Sequence, residues 1–146
     1  MNEIRYAPVL YRTMSIGEVC YTYGDKDPTD DIVEMIVEVT GKTSQECLVV
    51  CLIGEDQEPK YIQYISQDIS DVRMTDIFTL AVSLDMSGIS VLHIYPEEIV
   101  ESSAELSLYN AILDASHLLD MVLYGYRMVG EEDISSRPSD DASVLH

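Results

Sequence analysis

Residues 47–66 read CLVVCLIGEDQEPKYIQYIS, and this stretch decides how the rest of the chain is interpreted. Residues 47–53 are all apolar, which is typical of a central strand that is buried on both faces. Residues 60–66 alternate between two sets of side chains, as in a strand with two different faces. The acidic loop between them contains Gly54 and Pro59, which suit a solvated turn. The stretch therefore predicts a β-hairpin in a sheet.

The flanking segments supply the other predicted elements. Alternating aromatic and aliphatic residues favour strands at 3–12 and 17–23, and β-branched residues favour another strand at 89–95. Apolar residues at helical spacing predict helices over 28–40 and 71–87. We therefore expect an α+β fold, in which a mostly antiparallel sheet carries helices packed on one face.

The chain length predicts one domain. A chain of 146 residues buries about two thirds of its unfolded surface, so it needs no disulfide or metal to fold. We expect a single α+β domain over 1–129 and an acidic, flexible tail over 130–146, where apolar residues are few. The odd count of three cysteines argues against a disulfide framework and favours a reducing compartment.

The last predicted element of the domain is a long C-terminal helix from 103 to 128. Its apolar residues repeat at steps of 4, 3, 4, 3 and 4, which is a heptad seam. A second stripe widens the apolar surface, and a helix that is apolar on much of its girth is buried on more than one side. The sheet can cover one side of this helix, so another surface must cover the other side. We therefore predict a homodimer, in which a second subunit covers that side; the alternative is that another helix of the same chain covers it. The predicted dimer interface is Leu108, Ile112, Ala115, Leu119, Val122 and Tyr126.

The charge restricts the kind of partner. Twenty-seven acidic residues against eight basic ones give a formal net charge of −19. This charge repels nucleic acid and anionic membranes, and it suits a protein partner with a basic surface. Solubility alone is the alternative explanation of the charge. Two groups of acids are the predicted partner-binding residues: Asp30, Asp31, Glu34 and Glu38, and separately Glu97, Glu98, Glu101 and Glu105.

Motifs that would indicate catalysis are missing from the sequence. There is no nucleophile elbow, no Walker loop and no glycine-rich dinucleotide motif, and the histidines lack metal-ligand spacing. We therefore predict no catalytic residues, no metal and no cofactor. The aspartates at 25–31 fit a helix cap better than a calcium loop, because the required glycine and glutamate are absent.

Three functional hypotheses follow from these observations. The first is a non-enzymatic, cytoplasmic protein whose acidic surface binds a basic region of a partner, with inhibition by DNA mimicry as one version. The second is a small acidic chaperone or assembly adaptor that binds apolar segments of a partner. The third is an enzyme of an unfamiliar class.

Overall fold

A computed structural model describes residues 4–11, 14–22, 46–66 and 72–140 of the chain. The fold is α+β, and the described residues form one mixed, mostly antiparallel sheet of seven strands together with two helices. The elements, in chain order, are β1 (Ile4–Tyr11), β2 (Met14–Thr22), β3 (Cys47–Ile53), β4 (Pro59–Ser66), α1 (Met74–Ser83), β5 (Gly88–Ile94), α2 (Ser103–Leu118), β6 (Val122–Val129) and β7 (Ile134–Ser136).

The predicted hairpin at 47–66 is confirmed as the centre of the sheet. The strand order is β2-β1-β4-β3-β5-β6-β7, and β3 pairs antiparallel with both β4 and β5. Every residue of β3 is buried. Leu48, Val50 and Leu52 belong to one hydrophobic cluster, whereas Cys47, Val49, Cys51 and Ile53 belong to a second cluster. The strand is therefore uniformly apolar because it has no solvent-facing side.

Helices α1 and α2 pack into the first of these two clusters. Ile77, Phe78 and Ala81 of α1 join Leu108, Tyr109 and Ile112 of α2 and the three leucine and valine side chains of β3. Helix α2 connects β5 to β6, which lie next to each other and run parallel. A parallel pair requires such a crossover, whereas antiparallel neighbours can be joined by a short turn.

The predicted long helix over 103–128 is wrong at its C-terminal half. Helix α2 ends at Leu118, and the chain then enters strand β6. The end is a Schellman motif, because the N–H of Met121 donates to the Ser116 carbonyl and that of Asp120 donates to the His117 carbonyl. Asp120 adopts the left-handed conformation, with φ of 56°. The C-terminal-most element of the described chain is consequently a strand, β7, and not a helix.

Helix α1 ends in the same way, with the same tripeptide. Leu84-Asp85-Met86 terminates α1 and Leu119-Asp120-Met121 terminates α2. Asp85 has φ of 57°, and the N–H of Met86 donates to the Ala81 carbonyl. An aspartate tolerates the left-handed conformation that usually selects glycine. The sequence therefore marks both helix ends with Asp. The helix predicted over 71–87 ends at Ser83, before its predicted end.

A β-bulge explains why β6 resembles a helix in the sequence. Ile89 pairs with Leu123 and Ser90 pairs with Gly125, so Tyr124 is an extra residue in β6. The bulge lets Leu123 and Tyr126 enter the same cluster although they are three residues apart. Three is a helical spacing, and in a regular strand these two side chains would point to opposite faces. The apparent heptad seam therefore continued across a helix end into a bulged strand.

The six residues of the predicted dimer interface do not form one helix face. Leu108, Ile112 and Tyr126 are buried in the core of the same chain, and Ala115 packs against that core. Leu119 is exposed at the end of α2, and Val122 lies in β6. These residues therefore do not form a second apolar face of a long helix, because most of them pack in the core with α1 and the sheet. The homodimer itself stays a prediction.

The segment predicted as a flexible tail joins the sheet in part. Residues 134–136 form β7, which pairs antiparallel with β6. Residues 141–146, and the predicted helix over 28–40, lie outside the described residues.

Candidate protein-binding surface

Two loops at one end of the sheet are held together by backbone hydrogen bonds. The first loop follows β5 and leads to α2, and the second is the turn between β6 and β7. The N–H of Tyr95 donates to the Val129 carbonyl at 2.8 Å, and the N–H of Glu131 donates to the Glu97 carbonyl at 2.7 Å. The parallel pairing of β5 and β6 brings the ends of both strands to the same edge. The two loops are therefore adjacent because of the sheet topology.

An open cavity lies between these loops, and the described residues that line it are all acidic. Its volume is about 630 Å³, and its lining residues are Glu97, Glu98, Glu131, Glu132 and Asp133. Gly130 permits this approach, because a Cβ atom at that position would meet the carboxylate of Asp133 and lie 3.0 Å from the Glu97 carbonyl oxygen. We call these five residues the acidic surface.

The acidic surface has no neutralising cation within the described parts of the chain. All five residues are exposed, and none of them forms an ion pair with a described lysine or arginine. Like charges at such proximity repel one another and produce a negative potential, which falls off over about 8–10 Å at physiological salt. A basic group of a partner would relieve this repulsion.

The structure divides the predicted group Glu97, Glu98, Glu101 and Glu105 into two places. Glu97 and Glu98 belong to the acidic surface. Glu101 and Glu105 instead contact Arg137, and Glu105 is fully buried. The other predicted group, Asp30, Asp31, Glu34 and Glu38, lies outside the described residues.

Glu105 and Arg137 form a buried ion pair below the N-terminal turn of α2. The Nε of Arg137 donates to Oε1 and Oε2 of Glu105 at 3.3 and 3.1 Å, and its Nη2 also donates to Oε2. The hydrogen bonds to Glu105 raise the pKa of Arg137. The guanidinium also lies 5.4 Å from the centre of the Tyr109 ring, within the range of a cation–π contact. Tyr109 packs edge-on against Tyr126.

Helix capping explains why Glu105 occupies this position. Ser102 is the N-cap of α2, and its hydroxyl accepts a hydrogen bond from the N–H of Glu105 at 3.1 Å. The cap fixes the first turn of the helix with Glu105 on its inner side. Burial raises the pKa of the neighbouring Tyr126, and the Glu105 carboxylate raises it further. The arrangement stabilises the neutral tyrosine beside a charged pair.

His93 is another buried polar residue on this side of the sheet. Its Nε2 lies 2.9 Å from Oε1 of Glu46, and its ring stacks on Tyr95 with the ring centres 4.3 Å apart. The imidazole has no exposed surface. A substrate in solvent would not reach it in this arrangement, and the contacts with Glu46 and Tyr95 suit a packed core histidine.

Three of the five residues of the acidic surface lie outside the two predicted partner-binding groups. Glu131, Glu132 and Asp133 were assigned to the flexible tail, although three consecutive acids directly after an apolar strand are a readable signal of a charged turn. Arg137 and Tyr109 are not among the predicted site residues. They lie far apart in the chain, and no local sequence pattern encodes a contact between such distant residues.

Comparison with known proteins identifies no family. No family model matches the chain, and no curated protein is significantly similar to it. Within the described residues, no helix has the length and apolar character needed to cross a membrane. The same residues contain no cluster of His, Cys, Asp and Glu side chains arranged to hold a metal ion.

Proposed function

We propose that this chain is a non-enzymatic binding protein whose acidic surface engages a basic region of a protein partner in the cytoplasm. The observation that supports the proposal is the cavity of about 630 Å³, for which every lining residue in the described part of the chain is acidic. Five exposed carboxylates on two joined loops attract cations and speed encounter with a basic partner. Inhibition by DNA mimicry is one version of this function, in which the carboxylates occupy the positions of phosphates.

Neutralising the acidic surface tests the proposal. The site variant combines E97Q, E98Q, E131Q, E132Q and D133N. A matched control variant neutralises five other exposed acids and therefore changes the net charge equally: E18Q, E55Q, D85N, D114N and D120N. The protein that full-length bait captures from its native host, identified by mass spectrometry, is then purified and titrated calorimetrically against all three baits.

The proposal predicts that the site variant binds this partner at least about tenfold more weakly, because each rim charge contributes up to about 1 kcal/mol. The control variant should bind within about threefold of the unmodified chain at the same salt. Affinity should also fall steeply between about 50 and 300 mM salt, because screening weakens exposed charges. Equal loss in both variants would show that net charge, and not this surface, determines binding.

A chaperone or adaptor role is the alternative proposal. Several large apolar side chains are exposed, among them Met14, Leu118 and Tyr6, which are 69%, 87% and 61% exposed. Binding through such residues buries apolar area and depends weakly on salt. Affinity that is unchanged by salt and lost in M14S or L118S would favour this alternative.

Self-association is a separate proposal. Of the six residues predicted for the dimer interface, only Leu119 is exposed, and it lies next to the strongly exposed Leu118. These two leucines are therefore the apolar side chains that a second subunit could contact at this helix end. Sedimentation equilibrium of the full chain and of L118S/L119S measures this directly. If the variant still forms a dimer, then Leu118 and Leu119 do not form the dimer interface.

A further inference from the structure

Residues 134–140, which we call the strap, include the edge strand β7 and lie along β6. After the β7 pairing, the N–H of Arg137 donates to the Tyr126 carbonyl at 2.9 Å, and that of Asp140 donates to the Leu123 carbonyl at 2.8 Å. The N–H of Leu123 donates back to Oδ2 of Asp140 at 3.2 Å. The strap therefore binds β6 mainly through its backbone, as an added strand does.

The strap contributes almost nothing to the hydrophobic core. No residue of 134–140 belongs to either hydrophobic cluster, and Ile134 is 51% exposed. Three charged contacts hold its side chains, namely Arg137 with Glu105, Arg137 with Glu101, and Asp140 with His117, whose Nε2 lies 2.9 Å from Oδ1. Release of the strap would consequently expose little apolar surface.

The place that Arg137 occupies has the composition of an arginine-binding site. The buried Glu105 carboxylate accepts from two nitrogens of the guanidinium, and Glu101 Oε1 lies 3.4 Å from Nη2. The Tyr109 ring faces the guanidinium, and its hydroxyl donates to the Pro138 carbonyl at 2.7 Å. Forked hydrogen bonds to a carboxylate beside an aromatic ring favour arginine over lysine.

We propose that the strap is an exchangeable strand, and that an extended, arginine-bearing segment of the basic partner replaces it on β6. The buried Glu105 carboxylate requires a cation, so loss of Arg137 alone is costly, whereas replacement by another arginine restores the pair. Backbone pairing with β6 does not depend on the sequence of the incoming strand. The acidic surface directly precedes the strap and attracts basic segments to this edge. The kind of partner rests on the proposed function, but the arginine site is a separate structure.

The test uses the strap itself as the probe. A fluorescent peptide copying residues 133–140, and a second peptide with Lys in place of its arginine, are titrated by anisotropy against the full chain and against R137A. We expect R137A to bind the arginine peptide at least about tenfold more tightly than the lysine peptide. R137A should also bind the arginine peptide at least about tenfold more tightly than the unmodified chain does. In the unmodified chain, the tethered strap with its own arginine competes with the peptide at an effective concentration of about 1 mM.

Controls keep the outcome interpretable. The variant R137A/E105Q should bind the arginine peptide at least about tenfold more weakly than R137A does, because the buried carboxylate is gone and the backbone pairing remains. If R137A is unfolded alone, the arginine peptide should restore its circular dichroism spectrum, which reports the same site. Failure of the peptide both to bind and to restore R137A, or equal binding of both peptides, overturns the proposal.

Hydrogen exchange of the unmodified chain supplies a second test. Exchangeability requires that the strap open without global unfolding, so the amides of Arg137 and Asp140 should exchange at least about 100-fold faster than that of Leu52 in β3. Exchange of all three at one rate would overturn the proposal. The two proposals can fail separately. If the strap does not exchange but the acidic-surface variant still loses its partner, the arginine-site proposal is rejected and the proposed function stands.

Discussion

Removal of the Arg137 side chain is the most informative perturbation of this fold. In R137A, the Glu105 carboxylate, which has no exposed surface, loses the guanidinium that donates to both of its oxygens. Breaking a buried ion pair from one side costs about 3–5 kcal/mol. The contact with the Tyr109 ring adds about 0.5–1 kcal/mol, and the contact with Glu101, whose side chain is 65% exposed, adds at most about 1 kcal/mol.

The expected loss for R137A is therefore about 3.5–7 kcal/mol, a large part of the 5–15 kcal/mol typical of a domain. R137M retains the aliphatic stem, so the difference between the two variants measures packing and not charge. Urea unfolding followed by far-ultraviolet circular dichroism gives the free energies, because the chain contains no tryptophan to serve as a fluorescent probe.

Double-mutant cycles separate the two carboxylates. The cycle of R137A with E105Q should give a coupling energy above about 2 kcal/mol, and the cycle of R137A with E101Q should give less than about 1 kcal/mol. Both acids contact the same guanidinium, but Glu105 is buried and accepts three hydrogen bonds from it, whereas Glu101 is exposed and accepts one. Equal coupling energies in the two cycles would refute the reasoning that burial determines the strength of this pair.

Three further predictions concern the helix ends, the sheet and the core. In urea unfolding, D120G should stabilise the fold by about 0.5–1 kcal/mol, because glycine adopts φ of 56° without strain. D120A also removes the charge but should not stabilise the fold, because its Cβ atom is strained at this φ. G88A should cost more than about 2 kcal/mol, because its Cβ would collide with the Val122 carbonyl, whereas G125A meets only the mobile Ser90 hydroxyl at 3.1 Å and should cost less. Burial raises the pKa of Cys47 and Cys51 to about 12, so the folded state keeps protons that the unfolded state releases above about pH 9. The free energy of unfolding should therefore fall from pH 9 to 12, with a slope in C51A that is shallower by up to about 1.4 kcal/mol per pH unit.

Sequence reasoning worked where a pattern reports burial locally. The apolar run at 47–53 identified the central strand because each of its residues contacts core on one side or the other. It failed at 119–126, where a helix end and a bulged strand together imitate helical spacing. The repeated Leu-Asp-Met tripeptide was the signal of that helix end, and aspartate in place of glycine concealed it.

The sequence by itself determined the α+β class, the central hairpin and the excess of negative charge, because composition and local periodicity express these directly. Tertiary structure alone decided which acids face solvent together and which one is buried. Glu98 and Glu105 are similar in sequence context, yet one lines the acidic surface and the other is enclosed with Arg137. The physical reason is that the parallel pairing of β5 and β6 fixes which loops meet, and the β7 pairing carries Arg137 back to α2. Contacts between residues so distant in the chain leave no periodic trace in the sequence.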